Sequence, residues 1–158
     1  MTTIRDLLSF RLHLVANLLS RGAEMRYRRE FGVSLWEWRS VALLGGAAAP
    51  LSLNELARAA GVDKSQMSRV VSGLAARGIV LRAADAEDAR GVRLTLTPAG
   101  RKLYAGLMRA ATERNEAFLA ALAPRERDGL EAALGKLAER AKAFIQRERA
   151  LAAKPRRR

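Results

Sequence analysis

The chain has no cysteine, a single histidine and only four prolines among 158 residues. Without cysteine there can be no disulfide, thiolate metal site or thiol redox sensor. One histidine, His13, excludes a multi-histidine metal site within one subunit. No apolar run is long enough to span a bilayer, and the amino terminus lacks the basic-then-apolar order of a secretory signal, so a cytoplasmic protein without membrane association is expected. No glycine-rich phosphate loop appears and His13 lies on a helical segment, which makes an enzyme the least expected class and leaves no cofactor to expect. Acidic residues are scarce: 16 stand against 29 Lys and Arg, for a net charge of +13 that points to an anionic partner, most simply nucleic acid.

What the chain does have is helical periodicity, sharpest between Asp63 and Gly78. Met67, Val70, Val71 and Leu74 fall on one face, leaving Ser65, Ser68, Arg69 and Ser72 on the other. Asp63 caps this helix and Gly78 stops it, at a position that needs a left-handed residue. Just upstream, Ser52 and Glu55 form a capping pattern ahead of Leu53, Leu56, Ala57 and Ala60, and Gly61 turns the chain from one helix into the next. This is the sequence form of a helix-turn-helix, whose second helix lies in the major groove of DNA. Two short amphipathic helices also occur in many cores. The segment after Gly78 makes the pattern more specific: Ile79 to Arg82 and Val92 to Leu96 alternate apolar with polar around the turn-rich stretch 83–91, predicting a β-hairpin wing. Arg90 beside Gly91 puts a cation at its tip, suited to a narrow minor groove.

Charge is unevenly placed. Residues 51–97 hold seven basic and five acidic side chains, whereas residues 139–158 hold eight and two. The final Lys154-Pro155-Arg156-Arg157-Arg158 reads either as a basic tail touching phosphates without sequence preference or as a solvated terminus.

Long helical segments flank the central unit. From Ile4 to about Arg29 the apolar arc is wide, with Ile4, Leu8, Leu12, Val15 and Leu19 on one stripe and Leu7, Leu14, Leu18 and Met25 beside it, so the helix needs covering on more than one side. Ser9, His13, Asn17 and Ser20 form the other face; His13 is either solvated surface or an effector contact. Ser34 caps a second helix that runs through Trp38 to Leu44, where Trp38 and Arg39 either pack or offer a ring and a cation to an aromatic carboxylate. Thr97-Pro98 begins a helix to about Leu122, and Pro124 opens another with Leu130, Leu134, Leu137, Ala141 and Phe144 in a coiled-coil-like seam. The expected fold is mainly α with a small β wing. It comprises N-terminal helices (1–50), a winged helix-turn-helix (51–97), C-terminal helices (98–150) and a basic tail (151–158), with dimerisation through both termini and hence a palindromic operator.

In this order of elements the chain resembles the MarR family of bacterial transcriptional regulators. Matching strings are Leu35-Trp36-Glu37-Trp38-Arg39, Leu53-Asn54-Glu55-Leu56-Ala57, Lys64-Ser65-Gln66-Met67-Ser68-Arg69-Val70-Val71, Asp88-Ala89-Arg90 and Leu94-Thr95-Leu96-Thr97-Pro98-Ala99-Gly100. The resemblance implies a homodimer on palindromic double-stranded DNA, usually a repressor, often released by a small phenolic or aromatic carboxylate. It implies that Arg90 enters the minor groove while Asp88 steadies the wing by pairing with an arginine; where the family commonly has Asp-Arg-Arg, this chain has Asp-Ala-Arg, one basic contact fewer. On this reading Ser65, Gln66, Ser68 and Arg69 face the major groove, Lys64 and Arg77 lie near phosphates, and His13, Trp38 and Arg39 lie on the elements that line an effector crevice. The competing readings are a non-sensing architectural DNA-binding protein and a helical dimer that binds another protein.

Overall fold

The computed structural model describes residues 2–84 and 91–153. A 3-10 turn (Ile4–Asp6) precedes α1 (Leu8–Phe31), α2 (Leu35–Gly46), β1 (Leu51–Ser52), α3 (Leu53–Ala60), α4 (Lys64–Ala76), β2 (Val80–Ala84), β3 (Val92–Leu96), α5 (Pro98–Leu119) and α6 (Pro124–Ala152). This is the expected mainly helical fold with a small antiparallel sheet, in strand order β1-β3-β2. The chain divides into two compact units, Met1–Thr112 and Glu113–Arg158.

The core of the first unit is built on α4. Met67, Val71 and Leu74 are 0%, 1% and 0% exposed, and Val70, the fourth residue of the stripe seen in the sequence, is partly buried against them. Around it gather Tyr27 of α1, Val41 and Leu44 of α2, Leu56 and Ala57 of α3, Val80, Leu94 and Leu96 of the sheet and Leu107 of α5. Each fully buried aliphatic side chain contributes about 1.5–3 kcal/mol of transfer free energy, an upper estimate that outweighs any single polar contact at the surface. The Ser40 hydroxyl, fully buried beneath Met67, donates to the Trp36 carbonyl oxygen at 2.8 Å and so is not left unpaired in the core.

Helix ends follow the sequence signals. Glu37 N–H donates to Ser34 Oγ (3.3 Å) and Ser34 N–H donates to Glu37 Oε2 (2.7 Å); Ser52 and Glu55 make the same reciprocal pair at 3.2 and 2.7 Å. Asp63 Oδ1 accepts from Gln66 N–H at 2.8 Å. Gly61 and Gly78 have φ of 72° and 68°, the left-handed geometry that closes α3 and α4, and Ile79 N–H returns to the Leu74 carbonyl at 2.9 Å. Thr97 then clasps the exit from α4: its hydroxyl donates to Gly78 O at 2.6 Å, and its N–H to Ile79 O at 3.1 Å.

Three details differ from the sequence reading. The first helix does not run unbroken from Ile4: Asp6 Oδ2 accepts both Thr3 N–H (2.7 Å) and the Thr3 hydroxyl (2.9 Å), closing a separate turn, and extended Leu7 separates it from α1. Strand β1 is an addition; its two residues pair with β3 in the register Leu51 to Leu94 and Ser52 to Arg93. Strand β3 has the expected bounds, whereas β2 begins one residue later and ends two residues later than expected, with Val80 opposite Leu96 and Ala84 opposite Val92. On α1, Leu8, Leu12, Leu14, Val15, Leu18 and Leu19 are all at least partly open to solvent, and buried residues occur only at Ala23 and Tyr27. In the second unit, α6 has no buried residue, and Leu130, Leu134, Phe144 and Ile145 are exposed.

Two glycines test the packing. A Cβ at Gly100 would collide with the Ile79 carbonyl oxygen, whereas one at Gly73 on the outer side of α4 would have nothing within 4 Å. Gly100→Ala is expected to cost about 1–3 kcal/mol in urea unfolding; Gly73→Ala should stabilise by about 0.5–1 kcal/mol through its better helix propensity. A neutral Gly100→Ala would mean that α5 is not seated against the end of α4. Glu55 provides a pH test. The Ser52 backbone N–H, then the Ser52 hydroxyl, then the charges of Arg93 and Arg58 hold its carboxyl below the ordinary value of 4.5. A lowered folded pKa stabilises above the unfolded value and ceases to do so as pH falls through the folded one. The advantage of wild type over Glu55→Gln should therefore be present at about pH 7 and shrink progressively as pH falls below about 4.5 in denaturant titrations; an advantage that does not shrink in acid would mean that charge plays no part.

Candidate nucleic-acid interface

Because α4 buries Met67, Val71 and Leu74, its opposite side has to face outward. Lys64, Ser65, Arg69 and Ser72 are exposed, and Gln66 and Ser68 partly so. Lys64, Ser65, Ser68 and Arg69, with Leu53 from the start of α3, line a shallow depression of about 420 Å³. Three of the residues expected in the major groove thus share one surface with Lys64, expected near a phosphate, and Gln66 sits on the same helix, within a turn of its cap. Hydroxyls, an amide and a guanidinium are the groups that pair with base edges and phosphates. None of the side chains of Lys64, Ser65, Ser68 or Arg69 is tied to another described residue by a hydrogen bond or ion pair, so their donors are open to an incoming partner.

Arg77 is placed differently. Its guanidinium sits at the far end of α4 and donates from NH1 to Glu37 Oε1 at 3.0 Å. Arg93 of β3 makes a similar tie, with NH1 3.3 Å from Glu55 Oε2. Neither pair is visible to sequence reasoning. The capping role of both glutamates can be read locally, but partners about forty residues away cannot. Arg90 and Asp88 lie outside the described residues, as do Lys154, Pro155, Arg156, Arg157 and Arg158 of the tail.

The three effector candidates have different partners. Trp38 packs its ring 5.0 Å from that of buried Tyr27. Arg39 lies over the face of Trp36, 4.7 Å from its centroid, and donates to Ser20 Oγ at 3.4 Å. His13 Nε2 is 2.8 Å from Asn17 Nδ2 on the exposed side of α1. The pair that combines an aromatic face with a cation is therefore Trp36 with Arg39, residues three apart on one helix face. Beside Ser20, a groove of about 480 Å³ runs along α1, lined by Leu14, Asn17, Leu18, Ser20, Arg21 and Glu24.

Among the described residues no group of three or more His, Cys, Asp or Glu is arranged to hold a metal, and no helix is long and apolar enough to cross a membrane.

The MarR family model matches residues 31–91, from the end of α1 to the wing. No curated protein matches the chain. Among solved structures, the MarR family transcriptional regulator from Silicibacter pomeroyi DSS-3 is 30% identical, with 87% of this chain and 99% of that one aligned at a TM-score of 0.73. A MarR/EmrR family transcriptional regulator from Acinetobacter sp. ADP1 is 27% identical over 90% of this chain and 99% of its own, at a TM-score of 0.81. The Staphylococcus aureus MepR–DNA complex shares the fold at 19% identity, with a TM-score of 0.78 over 84% of this chain and 97% of that one. With near-full coverage of a 30% identical relative, and a family match centred on the helix-turn-helix, the chain belongs to the MarR family of transcriptional regulators.

Proposed function

We propose that the protein is a homodimeric, sequence-specific DNA-binding repressor that leaves a palindromic operator when a small aromatic or phenolic carboxylate binds. The observation that carries this reading is the division of α4 into a buried stripe and an outward face whose polar side chains have no partners of their own among the described residues. Ser65, Gln66, Ser68 and Arg69 read base edges and Lys64 contacts phosphate. At the wing, Arg90 enters the minor groove with Asp88 in support, a role that rests on the sequence resemblance alone. The tail, Lys154 to Arg158, adds phosphate contacts that carry no sequence information.

Dimerisation through the terminal segments is supported by the exposed apolar residues of α1 and, separately, of α6. Two α4 helices related by a two-fold axis then meet half-sites about one helical turn apart. For the effector, His13, Trp38 and Arg39 remain the proposed contacts, and the stacking of Arg39 on Trp36 offers a carboxylate its cation and an aromatic ligand its ring. Release follows from a shift in the population of dimer geometries away from the half-site spacing.

The first test is binding to the chain's own upstream intergenic DNA against scrambled duplex at fixed salt, with and without a panel of aromatic carboxylates. Selective binding relieved by one compound is expected; equal binding to both duplexes with no compound active would favour an architectural protein. Arg69→Ala should cost about 1–3 kcal/mol on the operator and relax selectivity at one position. If affinity and selectivity were both unchanged, Arg69 would leave the reading set. Arg90→Ala should weaken binding most where the flanks are A/T-rich; equal losses on G/C-rich flanks would mark a plain phosphate contact.

A further inference from the structure

The carboxylate of Glu37 is used twice. Oε2 accepts the Ser34 N–H at 2.7 Å and completes the cap of α2, while Oε1 accepts Arg77 NH1 at 3.0 Å. The glutamate side chain is only 19% exposed and that of Arg77 41%. Because the cap already fixes the carboxylate, little further rotamer freedom is lost in holding the arginine, which favours this pair over a typical surface pair. Arg77 is the C-cap residue of α4, and the next residues are gripped as well: the Gly78 carbonyl accepts the Thr97 hydroxyl at 2.6 Å and the Ile79 carbonyl accepts Thr97 N–H at 3.1 Å. The end of α4 is thus held between α2 and the start of α5.

The opposite end of the helix carries the free donors. Recognition helices read bases with their N-terminal residues. Arg69 precedes Arg77 by eight residues, about 12 Å along the axis at the rise of an α-helix. A helix anchored at one end and reading at the other is aimed by its anchor.

We infer that Glu37 and Arg77 are positioning residues for DNA recognition: their ion pair fixes the angle at which the N-terminal half of α4 meets the groove, and Arg77 is not itself a phosphate contact. This rests on α4 being the reading helix. It also makes α2, which carries Trp36, Trp38 and Arg39 next to Glu37, the element through which a bound effector would tilt α4.

The test uses Glu37→Gln, Arg77→Gln, their combination and Arg77→Lys in the full-length protein. Glutamine keeps an oxygen for the Ser34 N–H, so the cap survives while the charge is lost. Affinity is measured on the upstream intergenic duplex and on a scrambled duplex across a salt series. Each glutamine variant is expected to lower the ratio of the two affinities by about three- to thirtyfold, with the salt slope unchanged. The combination should be no worse than either single change, and Arg77→Lys should retain most of the selectivity.

The competing model gives the opposite sign. If Arg77 serves phosphate and Glu37 competes for it, Glu37→Gln tightens binding to both duplexes, and Arg77→Gln lowers the salt slope by about one. Either that pattern or wild-type selectivity in both single variants overturns the inference. Should the wild type itself not distinguish the duplexes, the proposed function fails, and amide hydrogen exchange decides the anchor alone. In Glu37→Gln, faster exchange at Gly78 and Ile79 with Gly61 and Val62 unchanged supports it, and unchanged exchange at all four overturns it.

Discussion

The burial of Met67, Val71 and Leu74 is the constraint on which the rest of the molecule depends. A helix of thirteen residues with three fully buried side chains on one stripe has no freedom to roll about its axis without exposing them. Its outward face is therefore fixed by apolar packing, at a cost in free energy larger than any hydrogen bond that face will make. Lys64, Ser65, Ser68 and Arg69 owe their availability to this. They are outside because nothing polar is required inside, where the Ser40 hydroxyl is already satisfied by the Trp36 carbonyl.

Apolar burial sets the roll of α4 but leaves its tilt less determined, and polar contacts at the helix ends address that second freedom. Glu37 and Glu55 each close a helix start and also reach an arginine on another element. Secondary structure and tertiary register consequently share atoms. Loss of such a carboxylate affects the helix that contains it and the element tied to it, so these glutamates are more sensitive positions than their part exposure suggests.

Much of this is legible in the sequence, and the limits come from the range of the signals. Period and capping are local, so the stripe of α4, the caps at Ser34, Ser52 and Asp63, the stop at Gly78 and the strand Val92–Leu96 can all be read. The two-residue β1 is too short to show any period. The break at Leu7 is hidden because apolar residues continue on both sides of it, and only the Thr3–Asp6 contacts reveal a separate turn. The tie from Glu37 to Arg77 crosses forty residues and has no local signature. The choice between Trp36 and Trp38 as the partner of Arg39 is partly accessible: three residues apart share a helix face and neighbours do not, but which face meets Tyr27 is decided by packing.

The strand order β1-β3-β2 carries a mechanical meaning. The middle strand, β3, is bonded on one side to the outer strand of the hairpin and on the other to Leu51 and Ser52, immediately before the first turn of α3. The backbone ladder thus runs from β2 through β3 to the residues that open α3, and Arg93 adds an ion pair to Glu55 at that corner. Movement of β2 or β3 away from α3 would have to break that ladder, which ties the strands to the start of the helix-turn-helix.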